Sequence, residues 1–150
     1  MTSPLVYIVR HGQTDWNAEA RLQGQADTDI NAIGRAQADR NGRRLAELIP
    51  DPHAFDFVCS PLRRTRETME RLRAAMGLSP AGYRTDERLV ELHFGDWQGH
   101  TFAELEAETP GLGAARDADK WNFLPPGNRA ESYATLTARV EPWLQSISRP

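Results

Sequence analysis

Cysteine is almost absent from this chain. Its single copy, Cys59, rules out an intrachain disulfide and fits a reduced, cytoplasmic setting. Long apolar runs are missing: none approaches the ~20 residues that a bilayer-spanning helix requires, so no membrane association is expected. The opening Met-Thr-Ser-Pro has no basic stretch, and no secretory leader is expected there. Charge of one sign is also lacking. The 18 basic and 21 acidic residues are interspersed and sum to −3, which argues against nucleic acid as a partner. There is no repeat, no Walker loop, no Gly-x-Gly-x-x-Gly after a strand and no cysteine pair, which excludes the common nucleotide and zinc fingerprints. His93 and His100 lie near Asp96 without ligand spacing, so the expectation is no metal and no cofactor.

What remains is an ordinary globular composition, 26% charged and 39% hydrophobic, in a 150-residue chain long enough for one core. A single domain over 1–150 is expected. The stretch Leu5-Val6-Tyr7-Ile8-Val9 is too short for a helix and reads as a strand buried on both faces. Arg10, His11 and Gly12 follow at its carboxyl end, where open α/β sheets keep their ligands, and Thr14 or Asp15 can cap the turn of helix beyond.

Asn31 is a candidate N-cap for a helix to about Ile49, with Leu45, Leu48 and Ile49 on its apolar side and Gly34 and Gly42 weakening it. Pro50 and Pro52 end that helix. Phe55 to Cys59 reads as a second strand. Ser60 as N-cap and Pro61 at the first helical position start a helix whose apolar face is Thr65, Met69, Leu72 and Met76, with Gly77 as its stop. Tyr83 to Leu89 holds a weak third strand, and Glu91 to Gly99 a loop. Thr101 caps a helix over Phe102 to Glu108, and Pro110 to Asp119 reads as loop. Ser132 to about Ile147 reads as a helix with Leu136, Val140, Leu144 and Ile147 on one face and Pro142 inside it. Alternating strands and helices point to the α/β class.

Phosphoryl transfer without a metal needs a nucleophile, cations around three oxygens and an acid for the leaving alkoxide. His11, the guanidinium groups of Arg10 and Arg64, and Glu91 supply these types at two strand-to-helix junctions and one loop. Two guanidinium groups near His11 are expected to lower its pKa and keep the imidazole neutral. Apolar neighbours Leu92, Phe94 and Trp97 are expected to raise that of Glu91. Taken singly, these residues also read as surface cations and a solvated loop acid.

In order and spacing, five groups resemble the histidine phosphatase superfamily, which includes the phosphoglycerate mutases. They are Arg10-His11-Gly12-x-Thr14-x-x-Asn17, Leu22-Gln23-Gly24, Ile30-Asn31-x-x-Gly34-x-x-Gln37-Ala38, Ser60-Pro61-Leu62-x-Arg64-x-x-x-Thr68 and Glu91-x-x-Phe94-Gly95-x-Trp97-x-Gly99. Pro125-Pro126-Gly127-Asn128-x-x-Glu131-Ser132 resembles the family's segment before a late helix. The resemblance implies a three-layer α/β/α fold with a mostly parallel central sheet, of the phosphoglycerate mutase type. It implies phosphorylation of His11, a clamp of Arg10 and Arg64 with Asn17 in the pocket, Glu91 as proton donor, and Thr14, Gln23 and Gly24 at the rim. The family's second histidine, in a later His-Gly, has no counterpart before Pro150. The resemblance therefore implies the amino-terminal part of a longer protein, with the C-terminal strand or strands missing from this chain. It implies a small phosphorylated substrate and hydrolysis, because Leu92 stands where mutases carry arginine and Gly99 to Pro125 offers only Arg116 and Lys120. Mutase-type transfer and a catalytically silent phospho-ligand binder are the alternatives. Nothing in the sequence fixes the substrate or the oligomeric state.

Overall fold

The computed structural model describes residues 4–147. Six helices and one two-stranded parallel sheet make up the regular structure of these residues. They form two compact units: 8–18 with 27–90, and 4–7 with 19–26 and 91–147.

The first of these units is built on two helices and the sheet. α1 (Asp15–Ala18) is a single turn. α2 (Ala32–Leu48) starts where Asn31 accepts from the Gly34 N–H at 3.0 Å, satisfying one of the donors that a helix start leaves open. α3 (Arg63–Ala75) starts later than Ser60-Pro61 suggests. Leu62 is still extended there, and the first helical N–H, that of Arg63, goes to the carboxylate of Asp27 at 2.7 Å. A cap supplied from 36 residues upstream leaves no local signal.

The apolar seam between α2 and α3 is Leu45, Ile49 and Leu72, with Phe55, Phe57 and Met76 against it. Leu48, expected inside, is 45% exposed. The buried stripe of α2 is instead Gly34, Ala38, Gly42 and Leu45. Its glycines are contact points: a Cβ on Gly42 would lie 2.9 Å from Leu72 Cα and 2.7 Å from Ala75 Cβ. The buried stripe of α3 is likewise shifted, to Arg64, Thr68, Leu72 and Arg73, whereas Thr65 and Met69 are half-buried. Arg73 is tolerated inside because its guanidinium lies 4.4 Å above the Phe57 ring and its Nε donates to Ser79 O. Ion pairs Arg35–Glu67 and Arg71–Asp39 bind the two helices at their margins.

The sheet pairs β1 (Val58–Cys59) with β2 (Arg84–Thr85), in register Val58 to Arg84 and Cys59 to Thr85. The longer strands expected over Phe55 to Cys59 and Tyr83 to Leu89 contract to these dipeptides, flanked by 3-10 turns at Pro52–Ala54 and Glu87–Leu89. The opening stretch is a larger departure. Residues 5–9 form no β-ladder among the described residues, and Leu5 and Ile8 are 67% and 91% exposed. An apolar run states a capacity for burial. Burial itself requires neighbours on both faces and both edges, and β1 and β2 pair with each other instead.

The other unit centres on Trp97, 3% exposed, stacked on Phe123 at 5.4 Å and edge-on to Phe102 at 6.1 Å, with Leu92 and Leu105 also buried. α4 (Phe102–Glu108) begins with the expected Thr101 cap, completed by Glu104 as a reciprocal capping box. The segment Pro110 to Asp119, expected as loop, contains α5 (Leu112–Ala118). Glu106 accepts from the N–H groups of Gly111 and Gly113 at 2.6 and 2.8 Å, which supplies the missing start signal. α6 (Tyr133–Ile147) follows a mutual bond pair between Ser132 and Thr135 and holds Pro142 in its interior. Its expected apolar face is only half-covered, with Leu144 46% exposed. No helix among the described residues is long and apolar enough to cross a membrane.

Candidate active site

The junction after residue 10 is fastened from three directions. Gly12 donates its N–H to the Thr68 hydroxyl at 3.0 Å, and that hydroxyl donates to Arg64 O at 2.7 Å. Gln13 donates to the Gln37 side chain at 2.9 Å and accepts the Asn31 N–H at 2.8 Å. Thr14 pairs with Ile30 in an isolated antiparallel bridge. Gly12 has to be glycine, since a Cβ would fall on the Gly34 backbone, 2.8 Å from its Cα. α2 and α3 therefore fix the chain directly after His11.

His11 is half-buried, and its Nδ1 lies 2.7 Å from the carbonyl oxygen of Gly12. A carbonyl only accepts, so Nδ1 carries a hydrogen, and in the neutral form of such a ring the lone pair is at Nε2. Around it is a cavity of about 280 Å³ lined by Arg10, His11, Gly12, Gln13, Asn17, Gln37, Arg40 and Asn41. Two guanidinium groups, four side-chain amides, an imidazole and no carboxylate form this lining, the composition of an anion site. Asn17 Oδ1 accepts from the Thr14 N–H and hydroxyl at 3.0 and 3.1 Å, so its amide NH2 is the group it offers as donor.

Arg10, His11 and Asn17, expected together, do share this cavity. Arg64 is 1% exposed in the same unit and is not part of the lining. Thr14, expected at the rim, is wholly buried and serves as the cap of α1 through its reciprocal bonds with Asn17. Gln23, Gly24 and Glu91 belong to the other unit. Gln23 is 7% exposed, so it is a buried residue there. Gly24 has φ 52°, and a Cβ on it would press on Leu92 O at 2.8 Å. Glu91 is exposed and its carboxylate accepts the Leu92 N–H at 2.8 Å; the apolar enclosure expected around it is not found.

Gln37 stood in one of the resembling groups without a role, and Arg40 and Asn41 were not singled out in the sequence. Their spacing of three and four places them on one face of α2, opposite in character to the apolar face that periodicity finds.

Comparison with known proteins gives the family and the fold. Residues 6–149 match the family model described as histidine phosphatase superfamily (branch 1). The chain is 38% identical over 147 residues to the glucosyl-3-phosphoglycerate phosphatase of Mycobacterium tuberculosis (strain H37Rv), covering 98% of this chain and 61% of that protein. It is 34% identical over 142 residues to phosphoglycerate mutase-like protein 4 of Arabidopsis thaliana, covering 95% and 59%. Among solved structures, mycobacterial glucosyl-3-phosphoglycerate phosphatase complexed with VO3 superposes with a TM-score of 0.77 at 37% identity, over 91% of this chain and 61% of that one. The chain thus spans about three fifths of the length of these relatives. Its fold is the α/β fold of the phosphoglycerate mutase-like phosphatases, and the chain belongs to the histidine phosphatase superfamily.

Proposed function

We propose that the protein hydrolyses small phosphomonoesters, without a metal, through a phosphohistidine on His11. The observation that carries this is the Nδ1–H of His11 committed to Gly12 O inside a cavity walled by Arg10 and Arg40. His11 Nε2 attacks phosphorus, the ester P–O bond breaks, and Glu91 gives its proton to the departing alkoxide. Water then attacks the phosphohistidine, returns a proton to Glu91, and the P–N bond electrons return to Nε2. Arg10 and Arg40, with Asn17 as donor, hold the phosphoryl oxygens, and buried Arg64 adds positive potential from the same unit. The roles of Glu91 and Arg64 are carried over from the family motif. A cytoplasmic setting suits this chemistry and the single cysteine.

Hydrolysis is favoured over mutase transfer by a specific contact. Arg116, one of two cations between Gly99 and Pro125, lies 5.2 Å from the Phe102 ring and 6.0 Å from that of Tyr133, engaged within its own unit. The substrate is read as a small phosphorylated organic acid or sugar, in keeping with the relatives' names. The test is turnover of p-nitrophenyl phosphate with chelator present. Release of phosphate, lost by more than about 10³-fold in His11→Ala, supports the reading. Turnover that needs a bisphosphorylated primer would favour the mutase, and vanadate binding with no turnover a silent binder.

A further inference from the structure

The loop that carries Glu91 is tied down by a network that the reaction scheme above does not use. Glu91 O accepts from Gln25 Nε2 at 3.1 Å and from Arg139 Nη2 at 3.4 Å. The Leu92 N–H goes to the Glu91 carboxylate. The His93 N–H goes to Glu131 Oε2 at 3.0 Å, and His93 O accepts the Glu131 N–H at 2.9 Å. The Gly95 N–H goes to His93 Nδ1 at 2.9 Å. Glu131 also takes both arms of the Arg139 fork, at 2.9 and 2.8 Å, and lies 3.5 Å from Gln25 Nε2. One carboxylate thus gathers the groups that hold the backbone from the Glu91 carbonyl to His93, and all of them belong to one compact unit.

An ion pair needed only to start α6 has no reason to reach this loop. Arg139 shares one nitrogen between Glu131 and Glu91 O, and Gln25 bridges the same two residues. The pair is mostly buried, with 22% and 18% of the side chains exposed, so its geometry is firm. Burial pushes the Glu131 carboxyl upward, yet the Arg139 bonds, the His93 N–H and the nearby positive charges outweigh it and hold Glu131 below its ordinary value. Glu131 is therefore ionised across the neutral range, as an acceptor of four donors must be.

We propose that Glu131, acting with Arg139, is a positioning residue of the phosphatase reaction: it sets the backbone of Glu91 to His93 so that the Glu91 carboxyl meets the leaving oxygen. The inference rests on the reading of Glu91 as proton donor. A misplacement of about 1 Å in such a group costs on the order of 100-fold in rate.

The discriminating measurement is the dependence on leaving group. An alkyl phosphate cannot leave without a proton, whereas an activated aryl phosphate such as dinitrophenyl phosphate can. Glu131→Gln retains size but turns one acceptor into a donor facing donors. It is expected to lower kcat on an alkyl phosphate about 10–100-fold while changing the activated ester less than about 3-fold, with KM preserved. Arg139→Lys keeps the charge and loses the fork, and is expected to show the same selectivity more weakly should Glu131→Gln fold poorly. Adding Glu131→Gln to Glu91→Gln is expected to cost nothing further. Equal losses on both esters, in either variant, would show a merely structural pair and overturn the proposal. If Glu91→Gln shows the selectivity and Glu131→Gln does not, positioning fails alone. If Glu91→Gln itself lacks it, the donor assignment falls and the positioning role with it.

Discussion

At the scale of the residue, the chemistry is decided by which atoms are already committed. His11 gives its Nδ1–H to a backbone carbonyl, which chooses the tautomer and leaves Nε2 as the nitrogen for the proposed attack. Asn17 gives its oxygen to Thr14, which chooses the end of its amide that addresses the cavity. Such commitments are invisible in a string of letters, although the identities of Arg10, His11 and Asn17 were legible from the motif they form. Cys59 is the contrasting case. Burial pushes its thiol up to about 11, against a smaller pull from Arg66 and a hydrogen bond with Thr65. At pH 8 its thiolate fraction is then smaller than that of an ordinary thiol by about 100-fold. Alkylation by iodoacetamide at that pH is expected to slow by about this factor and to recover on unfolding. A rate equal to that of free cysteine would contradict the burial. The sign for stability is that of a raised acid: the contribution is present below the unfolded value near 9 and fades as pH climbs towards 11.

At the scale of the element, propensity and packing pull apart on α2. Gly34 and Gly42 read as weak points because glycine costs about 1 kcal/mol against alanine inside a helix. Both are buried where another backbone passes closest. A Cβ on Gly34 would sit 2.6 Å from Gln13 N and nearer still to its carbonyl, in the segment that presents His11. Gly34→Ala is therefore expected to destabilise by about 1–3 kcal/mol, packing outweighing the propensity gain. Gly113→Ala in α5, where a Cβ meets only the Glu106 carboxylate at 3.4 Å, is expected to stabilise by up to about 1 kcal/mol. Urea denaturation midpoints of the two variants give the comparison, and a stabilised Gly34→Ala would refute the close-approach account. Local codes explain which elements were legible. Thr101 and Asn31 cap the helices that follow them directly. The starts of α3 and α5 draw on Asp27 and Glu106, carboxylates outside those helices, and were misplaced or missed.

At the scale of the whole molecule, motif order carried the family where periodicity could not. Five spaced groups of residues identified the superfamily, and 144 consecutive positions, 6–149, match it. The apolar run at residues 5–9 is the opposite lesson: its pattern is that of a doubly buried strand, and its exposure in the structure shows that pattern alone does not supply neighbours. The cations about His11 came from two sources, Arg10 in the motif and Arg40 on α2, at a position that no motif marked. A site so assembled answers to a single observation on the intact chain. Long-range 1H–15N NMR of the His11 ring during a vanadate titration reports tautomer, nucleophilic atom and pocket together. The expected result is Nδ1 protonated before vanadate is added, then a shift of Nε2 as the anion binds, accompanied by the side-chain signals of Arg10 and Arg40. A ring protonated at Nε2, or vanadate that saturates the protein while His11 stays unmoved, would contradict it.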